Sequence, residues 1–405
     1  MKIKGFLKDV TGAMRVTNAR RNLIAEASSA NLYKDPIREL CAELHPEATH
    51  VRVTRVEDAS PTARTFTFEA VDGEVLPPFQ AGQYVSFELE IGETLTTRPF
   101  SISSAPFQAR TGENPFFQVT IRTSRPGEGF VAPWFYENVK MGDEFTCHVP
   151  FGFFFWEPLR DAKHVVALAG GSGITPFASM AAEIAHGTLD CDLTILYGSV
   201  SPDDVILGDD LAEIAAGCDR VKMVNVFSGK DVELPEGAEA GFITAELIEK
   251  YTEGKPSDGN TSYFVCGPLA MYDFVAGELE KLEVPFRRVR MEVFGAPRDV
   301  TKAEGYPADA EARTVKLTVK RGIQEDVIDA STIEPIAVAM ERAGIKNRTR
   351  CRSGACGYCR CRVLDGEFFV PAVGDGRRFA DKQYGYVHAC STYPLTDMRI
   401  EVPII

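Results

Sequence analysis

The chain has 405 residues, 44% of them hydrophobic and 25% charged, which is an ordinary globular composition and enough length for two to four domains. Its 44 lysines and arginines stand against 58 aspartates and glutamates, and the net charge of −14 argues against general nucleic-acid binding because phosphates repel it. No apolar run approaches the ~20 residues that cross a bilayer and no signal-peptide core follows Met1, so we expect a cytoplasmic protein without a membrane span.

Residues 1–47 differ from the rest and are expected to form a partly helical N-terminal extension. The segment begins with a basic run, and apolar positions at helical spacing predict a helix over Pro36–Leu44. From 48 to 156 the pattern changes to short alternating runs without helices, which predicts an antiparallel β-barrel. Its strands are expected at Val51–Val56, Arg64–Phe68, Tyr84–Leu89 and Phe117–Ile121.

Residues 157–295 alternate apolar strands with helices, which predicts a parallel, doubly wound sheet. We expect Thr175 to cap the first helix, Pro176 to occupy its first position and Gly187 to end it. The strands are predicted at Val165–Ala169, Leu193–Tyr197, Val221–Phe227 and Tyr263–Cys266.

Residues 296–312 are rich in proline, glycine, alanine and charge, and we expect them to link the α/β domain to a third domain at 313–405. The elements expected in that domain are a hairpin turning at Arg321-Gly322, a helix with a capping box of Ser331 and Glu334 that stops at Gly344, and a final strand at Asp397–Val402.

Four of the ten cysteines fall between positions 351 and 361, a density that favours a metal over disulfides. Cys351, Cys356 and Cys359 have C-x4-C-x2-C spacing and Cys390 follows, which is the plant-type pattern for a [2Fe–2S] cluster. The alternatives are a zinc site, for which the sequence lacks a second C-x2-C pair, or buried thiols without a ligand. Cys361 is expected to face the core from a strand.

The cysteine loop, with Leu364–Glu367 and Ala389–Leu395, resembles the plant-type ferredoxin family. The resemblance covers 313–405 and implies an α+β domain of the β-grasp type. It also implies that four thiolates hold the cluster, three from the loop and the fourth from Cys390.

The segment Arg98-Pro99-Phe100-Ser101 places a cation, an aromatic ring and a hydroxyl on consecutive extended residues. By itself this pattern also suits an exposed strand, but it resembles the R-x-Y-S motif of the ferredoxin–NAD(P) reductase superfamily, with phenylalanine in place of tyrosine. The resemblance implies that Arg98 pairs with a flavin phosphate, Phe100 lies against the flavin ring and Ser101 hydrogen-bonds near its N5. Further flavin contacts are implied for Pro99, Ile121, Gly127, Gly129 and Phe130.

Two features bear on the identity of the flavin. Glycines before a helix offer backbone N–H groups to a pyrophosphate, and Val131 and Ala132 replace the hydroxyl residues that related enzymes often have. The segment Pro150–Phe154 resembles the barrel-closing segment of FAD-binding members. We therefore expect FAD, with FMN as the alternative.

The segment Gly170-Gly171-Ser172-Gly173-Ile174-Thr175-Pro176 joins a predicted strand to a predicted helix, as a dinucleotide phosphate loop does, although a tight turn also uses glycines. It resembles the GGxGITP loop of the same superfamily. Nucleotide contacts are therefore implied for Gly170, Gly171, Gly173, Thr175 and Pro176.

The segment Cys266-Gly267-Pro268-Leu269-Ala270-Met271 stands at a strand end, where open α/β sheets bind ligands. It resembles the superfamily's CGPxxM motif, and Glu292-Val293-Phe294 resembles the E-x-F segment that faces the flavin. The resemblance implies catalytic positions for Ser101, Cys266 and Glu292. It also implies cofactor contacts for Gly267, Pro268, Met271 and Phe294, with Tyr197, Gly198 and Ser199 at the ribose.

The residues after that ribose segment bear on the choice of nucleotide. An NADP 2′-phosphate favours an arginine there, whereas this chain has Asp203 and Asp204. We therefore expect NADH, with NADPH as the alternative if Lys222 or Lys230 folds near the ribose.

The order flavin barrel, nicotinamide domain, ferredoxin resembles oxygenase reductases. It implies an enzyme that passes electrons from NADH through FAD to the [2Fe–2S] cluster and on to a protein acceptor, such as an oxygenase, a hydroxylase or another redox partner. One alternative is an electron-transfer subunit of a larger oxidoreductase, docked through residues 1–47. Another is a non-catalytic adaptor.

Overall fold

The computed structural model describes residues 5–26, 40, 46–71, 73–123, 129–297, 299–308, 310, 312–372 and 375–403. The chain divides into two units, residues 1–47 and residues 48–405. In the first unit a helix, α1, covers Phe6–Glu26, which the sequence patterns had not indicated. The helix expected over Pro36–Leu44 lies outside the described residues, except for Leu40. No helix in the described ranges combines the length and apolarity that crossing a membrane requires.

The second unit begins with a six-stranded antiparallel sheet in the order β4-β3-β6-β1-β2-β5. A bridge between Ile102, which directly follows one outer strand, and Val119, in the middle of the other, closes the sheet into a barrel. Inward-facing phenylalanines, among them Phe66, Phe68 and Phe87, fill its core. The strands are β1 Ala48–Ser60, β2 Ala63–Ala70, β3 Tyr84–Ile91, β4 Thr94–Ser101, β5 Phe116–Arg122 and β6 Glu144–Phe151, with helix α2 at Val131–Asn138.

A parallel six-stranded sheet follows, in the order β10-β9-β8-β7-β11-β12. Strands β7 and β11, which both have neighbours on either side, are buried along their whole length, as strands covered by helices on both faces must be. The strands are β7 His164–Gly170, β8 Asp192–Ser199, β9 Val221–Phe227, β10 Glu239–Ala240, β11 Thr261–Cys266 and β12 Val289–Glu292. The helices are α3 Thr175–His186, α4 Gly208–Gly217, α5 Ala245–Lys250 and α6 Leu269–Lys281.

The start of α3 differs from expectation. Thr175 is the first helical residue and not the cap, because its hydroxyl donates to the carbonyl of Ser172 over 3.0 Å instead of accepting from the helix. Gly187 ends the helix as expected, with a left-handed φ of 89°.

The C-terminal part has a mixed five-stranded sheet in the order β14-β13-β19-β15-β17 and a two-stranded ribbon of β16 and β18. Cys361 faces its core, as expected. The strands are β13 Thr314–Arg321, β14 Gln324–Ser331, β15 Arg360–Asp365, β16 Phe368–Phe369, β17 Tyr386–His388, β18 Tyr393–Pro394 and β19 Met398–Glu401, with helices α7 Ile336–Arg342 and α8 Phe379–Gln383.

In the C-terminal part, the expected capping box closes a turn that precedes the helix and does not cap the helix itself. The N–H of Ser331 donates to the carboxylate of Glu334 over 2.8 Å, but α7 starts only at Ile336. Between the parallel sheet and this part, the expected linker contains a short 3-10 turn at Val300–Lys302, and Val300 itself is buried.

Candidate functional site

The cysteine loop lies between α7 and β15, and the turn Ala389–Ser391 brings the fourth cysteine back to it. Gly354 and Gly357 have φ of 81° and 77°, the left-handed backbone that a tightly wrapped loop needs. Hydrogen bonds from backbone N–H groups stabilise negative sulfur, so the loop suits thiolates. Such N–H groups donate from Gly354 to Cys390 over 3.2 Å, from Cys356 to Cys351 over 3.4 Å and from Cys390 to Cys359 over 3.5 Å.

The four thiols contact one another in a chain: Cys356 with Cys351, Cys351 with Cys390, and Cys390 with Cys359. Hydrogen bonds from Cys356 and Cys390 hold the pKa of Cys351 far below its ordinary value, and the same contacts raise the pKa of both neighbours. No three described histidine, cysteine or carboxylate side chains converge as ligands of a single ion would. Four thiols spread along a chain fit a [2Fe–2S] cluster, which takes four thiolates.

Barrel residues hold the cluster loop from one side. Thr97 on β4 donates to the carbonyl of Thr349 over 2.8 Å, and Ser86 on β3 donates to the carbonyl of Arg350 over 3.3 Å. These side chains are buried, so the contacts seat the loop firmly on the barrel. Sequence reasoning missed them because the partners are 252 and 264 positions apart.

Arg98 and Phe100 share one face of β4 and are both half-buried. Burial, and then the charge of Arg352, lowers the pKa of Arg98 to about 9. No described carboxylate forms an ion pair with Arg98, and a partly buried cation without a counter-ion favours a bound anion. The ring of Phe100 packs 5.5 Å from that of Phe135 and keeps a partly exposed face. Both residues therefore fit a flavin phosphate and ring.

The structure brings Ser101, Cys266 and Glu292 together. Strand β12 pairs with β11 so that Glu292 lies opposite Cys266, and Glu292 shares a hydrogen bond with Ser101 at the end of β4. Burial raises the pKa of Glu292 well above its ordinary value, the Ser101 hydrogen bond opposes this, and Cys351 adds to it. Its Oε2 atom is buried and has no partner among the described residues, so it is available to a bound cofactor.

Tyr84 on β3 links this site to the cysteine loop, a role the sequence did not indicate. Burial strongly raises the pKa of its hydroxyl, and Cys351, Cys356 and Glu292 add to the effect. The hydroxyl therefore lies within electrostatic range of both the carboxyl and the cysteine thiols. In the sequence Tyr84 only continues an apolar strand pattern, which is equally typical of a core residue.

The glycines of the phosphate loop pack directly against the second nucleotide motif. A Cβ on Gly173 would lie 2.1 Å from the carbonyl oxygen of Cys266, and one on Gly170 would lie 2.6 Å from Sδ of Met271. A Cβ on Gly267 would lie 2.5 Å from the same sulfur. The two loops thus approach so closely that only glycine fits, and the Met271 sulfur lies against both Gly170 and Gly267.

The acidic residues after β8 have different surroundings. Asp204 pairs with Arg122 over 2.6 Å and accepts hydrogen bonds from Ser60 and Thr62, both at 2.7 Å. It therefore joins the barrel to the parallel sheet and is not free to face a ribose. Asp203 remains exposed. The sequence argument for NADH now depends on Asp203 alone.

Two of the expected cofactor-binding residues have buried side chains. Ile121 lies in the barrel core, and Tyr197 lies beneath the phosphate loop. The hydroxyl of Tyr197 instead donates to the carbonyl of Gly171 over 3.0 Å and accepts from the N–H of Ile206 over 3.2 Å. Tyr197 therefore supports the loop from within.

The remaining expected residues lie as follows. Gly127 lies outside the described residues, whereas Gly129, with φ of 88°, and the exposed Phe130 directly precede α2. Gly198 and Ser199 end β8 at the same edge of the sheet as Pro268, which precedes α6. Pro99 is on β4, Thr175 and Pro176 are buried in the first turn of α3, and Phe294 packs 5.7 Å from Tyr84.

Two family models match the chain. Residues 167–277 match the oxidoreductase NAD-binding domain, and residues 322–395 match the 2Fe-2S iron-sulfur cluster binding domain. The first match contains the phosphate loop and Cys266, and the second contains all four cluster cysteines.

Whole proteins are also similar to the chain. The carnitine monooxygenase reductase subunit of Acinetobacter baumannii is 30% identical over 342 residues, covering 84% of this chain and 93% of that protein. The glycine betaine monooxygenase reductase subunit of Chromohalobacter salexigens is 27% identical over 361 residues, covering 87% and 95%. Among solved structures, phthalate dioxygenase reductase has the same fold, with a TM-score of 0.62, 21% identity and coverage of 88% of this chain and 98% of that one.

Proposed function

The chain belongs to the family of [2Fe–2S] reductase components of oxygenase systems, and from this premise we propose that it carries electrons from NADH through FAD to its cluster and on to an oxygenase. Residues 48–156 would bind the flavin, 157–295 the nicotinamide nucleotide and 313–405 the cluster, with 296–312 between them. The enzyme is an NAD(P)H-dependent oxidoreductase, which sets aside the adaptor alternative.

One arrangement carries this proposal. Glu292 lies opposite Cys266 at the nicotinamide motif and shares a hydrogen bond with Ser101 at the flavin motif. It also lies within electrostatic range of Cys351. Motifs from three parts of the chain thus meet around one buried carboxyl. Reacting groups held this close need no diffusion between steps.

The protein's own groups have separate roles in this arrangement. A flavin held there would supply the conversion of a two-electron hydride donor into single electrons, which suits a one-electron cluster. Arg98 would anchor its phosphate and Ser101 would orient its ring. Glu292, whose pKa is raised by burial, is a carboxyl that would favour holding a proton next to the ring. Tyr84 is buried and lies within electrostatic range of both this carboxyl and the cysteine thiols.

The choice of NADH is supported by the exposed Asp203. A carboxylate next to the ribose accepts hydrogen bonds from its hydroxyls and repels a 2′-phosphate. Asp203→Arg should therefore raise the KM for NADH and lower that for NADPH, whereas Asp210→Arg on α4 should change neither.

An anaerobic visible spectrum before and after one equivalent of NADH tests the relay. Flavin and iron–sulfur absorption should bleach together within seconds, and bleaching with NADPH alone would refute the choice of nucleotide. Cys390→Ser should lose the cluster absorption while the flavin still bleaches. Cys361→Ser is the matched control, because this thiol lies in the same core but outside the chain of contacting thiols. If flavin bleaching leaves the cluster oxidised, the relay is wrong.

A second candidate, a subunit docked through its N-terminus, is supported by α1. Met14, Val16, Leu23 and Ile24 are each more than half exposed on this helix, and Arg20 and Arg21 accompany them. Exposed apolar residues on one helix are typical of a binding surface. Deleting residues 1–47 should then abolish binding to the partner while NADH-driven dye reduction continues. Unchanged binding would leave the extension without this role.

A further inference from the structure

An apolar and arginine-rich surface lies beside the parallel sheet, outside the nucleotide motifs and the cysteine loop, and only its Phe153 belongs to a segment discussed above, Pro150–Phe154. Phe153, Leu159 and Phe286 are 69%, 95% and 93% exposed, which is unusual for such large apolar side chains. Arginines accompany them in both segments. We call the set Phe153, Leu159, Arg160, Phe286, Arg287 and Arg288 the edge patch.

Hydrogen bonds show that the edge patch is one continuous surface. Arg160 Nη1 donates to the carbonyl of Phe153 over 3.4 Å, and Arg288 Nη1 donates to the carbonyl of Arg160 over 3.0 Å. The segment that precedes β7 and the segment that precedes β12 therefore lie side by side. The patch combines arginine with exposed aromatic rings, the residue types that dominate binding hot spots.

The edge patch also continues to the cluster loop. The ring of Phe153 packs 5.5 Å from Phe151, and Phe151 packs 5.7 Å from Tyr358. Tyr358 stands next to the ligand Cys359 in the chain and is 39% exposed. A partner that covers the patch would therefore meet the loop at Tyr358.

The nucleotide does not need this surface. Nucleotides bind parallel sheets at the carboxyl ends of the strands, where Gly170 and Cys266 end β7 and β11. Arg160 and Arg288 instead lie before the first residues of β7 and β12, at the amino ends. The edge patch is thus separate from the nicotinamide site.

The local charge of the edge patch is opposite to that of the chain. Asp161 is fully buried and pairs with both Arg160 and Arg290 at 2.8 Å. Among the described residues, no carboxylate pairs with Arg287 or Arg288. The patch therefore has unneutralised positive charge on a protein whose net charge is −14. Such a surface attracts a negatively charged protein face and repels a basic one.

We propose that the edge patch docks the electron-accepting protein through an acidic face on that protein, and positions it against Tyr358 of the cluster loop. This inference rests on the proposed function, in which the cluster passes electrons to a protein. Phe286 and Leu159 supply apolar contacts, and Arg287 and Arg288 supply the charge that selects the partner.

The test uses the full-length holoenzyme and two haem proteins as probes, the acidic cytochrome b5 and the basic cytochrome c. The double variant Phe286→Ser/Arg287→Glu changes only exposed side chains. It should slow NADH-driven reduction of cytochrome b5 about tenfold at low salt, because steering by charge is lost. The difference should shrink at high salt, where only the loss of the apolar Phe286 contact remains, and reduction of cytochrome c should be equal or faster.

Lys222→Glu provides the matched control, since it reverses an exposed charge on β9, towards the opposite edge of the same sheet. It should leave both rates unchanged. Equal cytochrome b5 rates in the double variant and wild type would overturn the proposal. So would a wild-type dimer in sedimentation that the double variant abolishes, because the patch would then bind a second copy of this chain.

Calorimetric binding of cytochrome b5 separates this proposal from the proposed function, because it needs no electron transfer. Binding that the double variant weakens would support the edge patch even if NADH failed to bleach the protein. If NADH bleaches the protein and cytochrome b5 binds the double variant as tightly as it binds wild type, the relay is supported and the edge patch is refuted.

Discussion

Arg352 Nη2 donates to Glu341 Oε2 over 2.9 Å, and both side chains are buried where the cluster loop meets β4 of the barrel. Arg352 also donates to the hydroxyl of Thr96 over 3.2 Å. Its φ of 55° is left-handed, which costs a non-glycine residue free energy unless surrounding contacts hold it. The ion pair therefore holds the cluster loop in its shape and against the barrel.

Glu341→Gln should lower the free energy of unfolding by about 3 kcal/mol, because it leaves the Arg352 charge buried without a counter-ion. Denaturant unfolding followed by cluster absorption measures this. Glu334→Gln is the control. Its partner Arg342 is 52% exposed, so that change should cost less than about 1 kcal/mol. Equal losses in the two variants would contradict the role given to the buried pair.

Arg98→Gln should weaken flavin binding roughly 10- to 100-fold, as expected for loss of a charge-assisted hydrogen bond of about 1.5–3 kcal/mol. The purified variant should contain little flavin and a full complement of iron. The flavin-to-iron ratio is the measurement. Arg55→Gln, which removes an exposed arginine of β1, should leave that ratio unchanged. A normal ratio in Arg98→Gln would show that the phosphate lies elsewhere.

Glu292 should make stability depend on pH. Burial raises the pKa of Glu292 in the folded protein, so the folded chain keeps a proton that the unfolded chain releases above the ordinary value of 4.5. Stability is therefore lost as the pH rises above that value. The stability of Glu292→Gln relative to wild type should increase steadily between pH 5 and pH 8. Unfolding midpoints across this range test the trend, and the exposed Glu93→Gln should show none.

Gly173→Ala should weaken NADH binding at least about tenfold, because the added Cβ would lie 2.1 Å from the carbonyl oxygen of Cys266 and force the two nucleotide loops apart. Flavin and iron contents should not change. Fluorescence titration with NADH measures the effect. Gly217→Ala adds the same methyl group to open space at the end of α4, and its affinity for NADH should equal that of wild type.

Local sequence patterns determined much of this protein. Cysteine spacing predicted the 2Fe-2S domain that the family model matches, because one short loop and one later residue carry all four expected ligands. Alternating and continuous apolar runs predicted the barrel and the parallel sheet, since burial on one face or on both imposes those periods. Gly187 and Gly344 ended their helices where expected, because a left-handed backbone at a helix end strongly favours glycine.

Tertiary structure alone decided how the three parts meet. The partners of Arg352, Asp204 and Tyr84 are far away in the chain, and no local pattern distinguishes a residue that faces another domain from one that faces its own core. Tyr197 shows the same limit, because a motif placed it at the ribose and packing buried it beneath the phosphate loop. Contacts between distant segments depend on the whole fold, and in this protein those contacts bring the nicotinamide motif, the flavin motif and the cluster loop together.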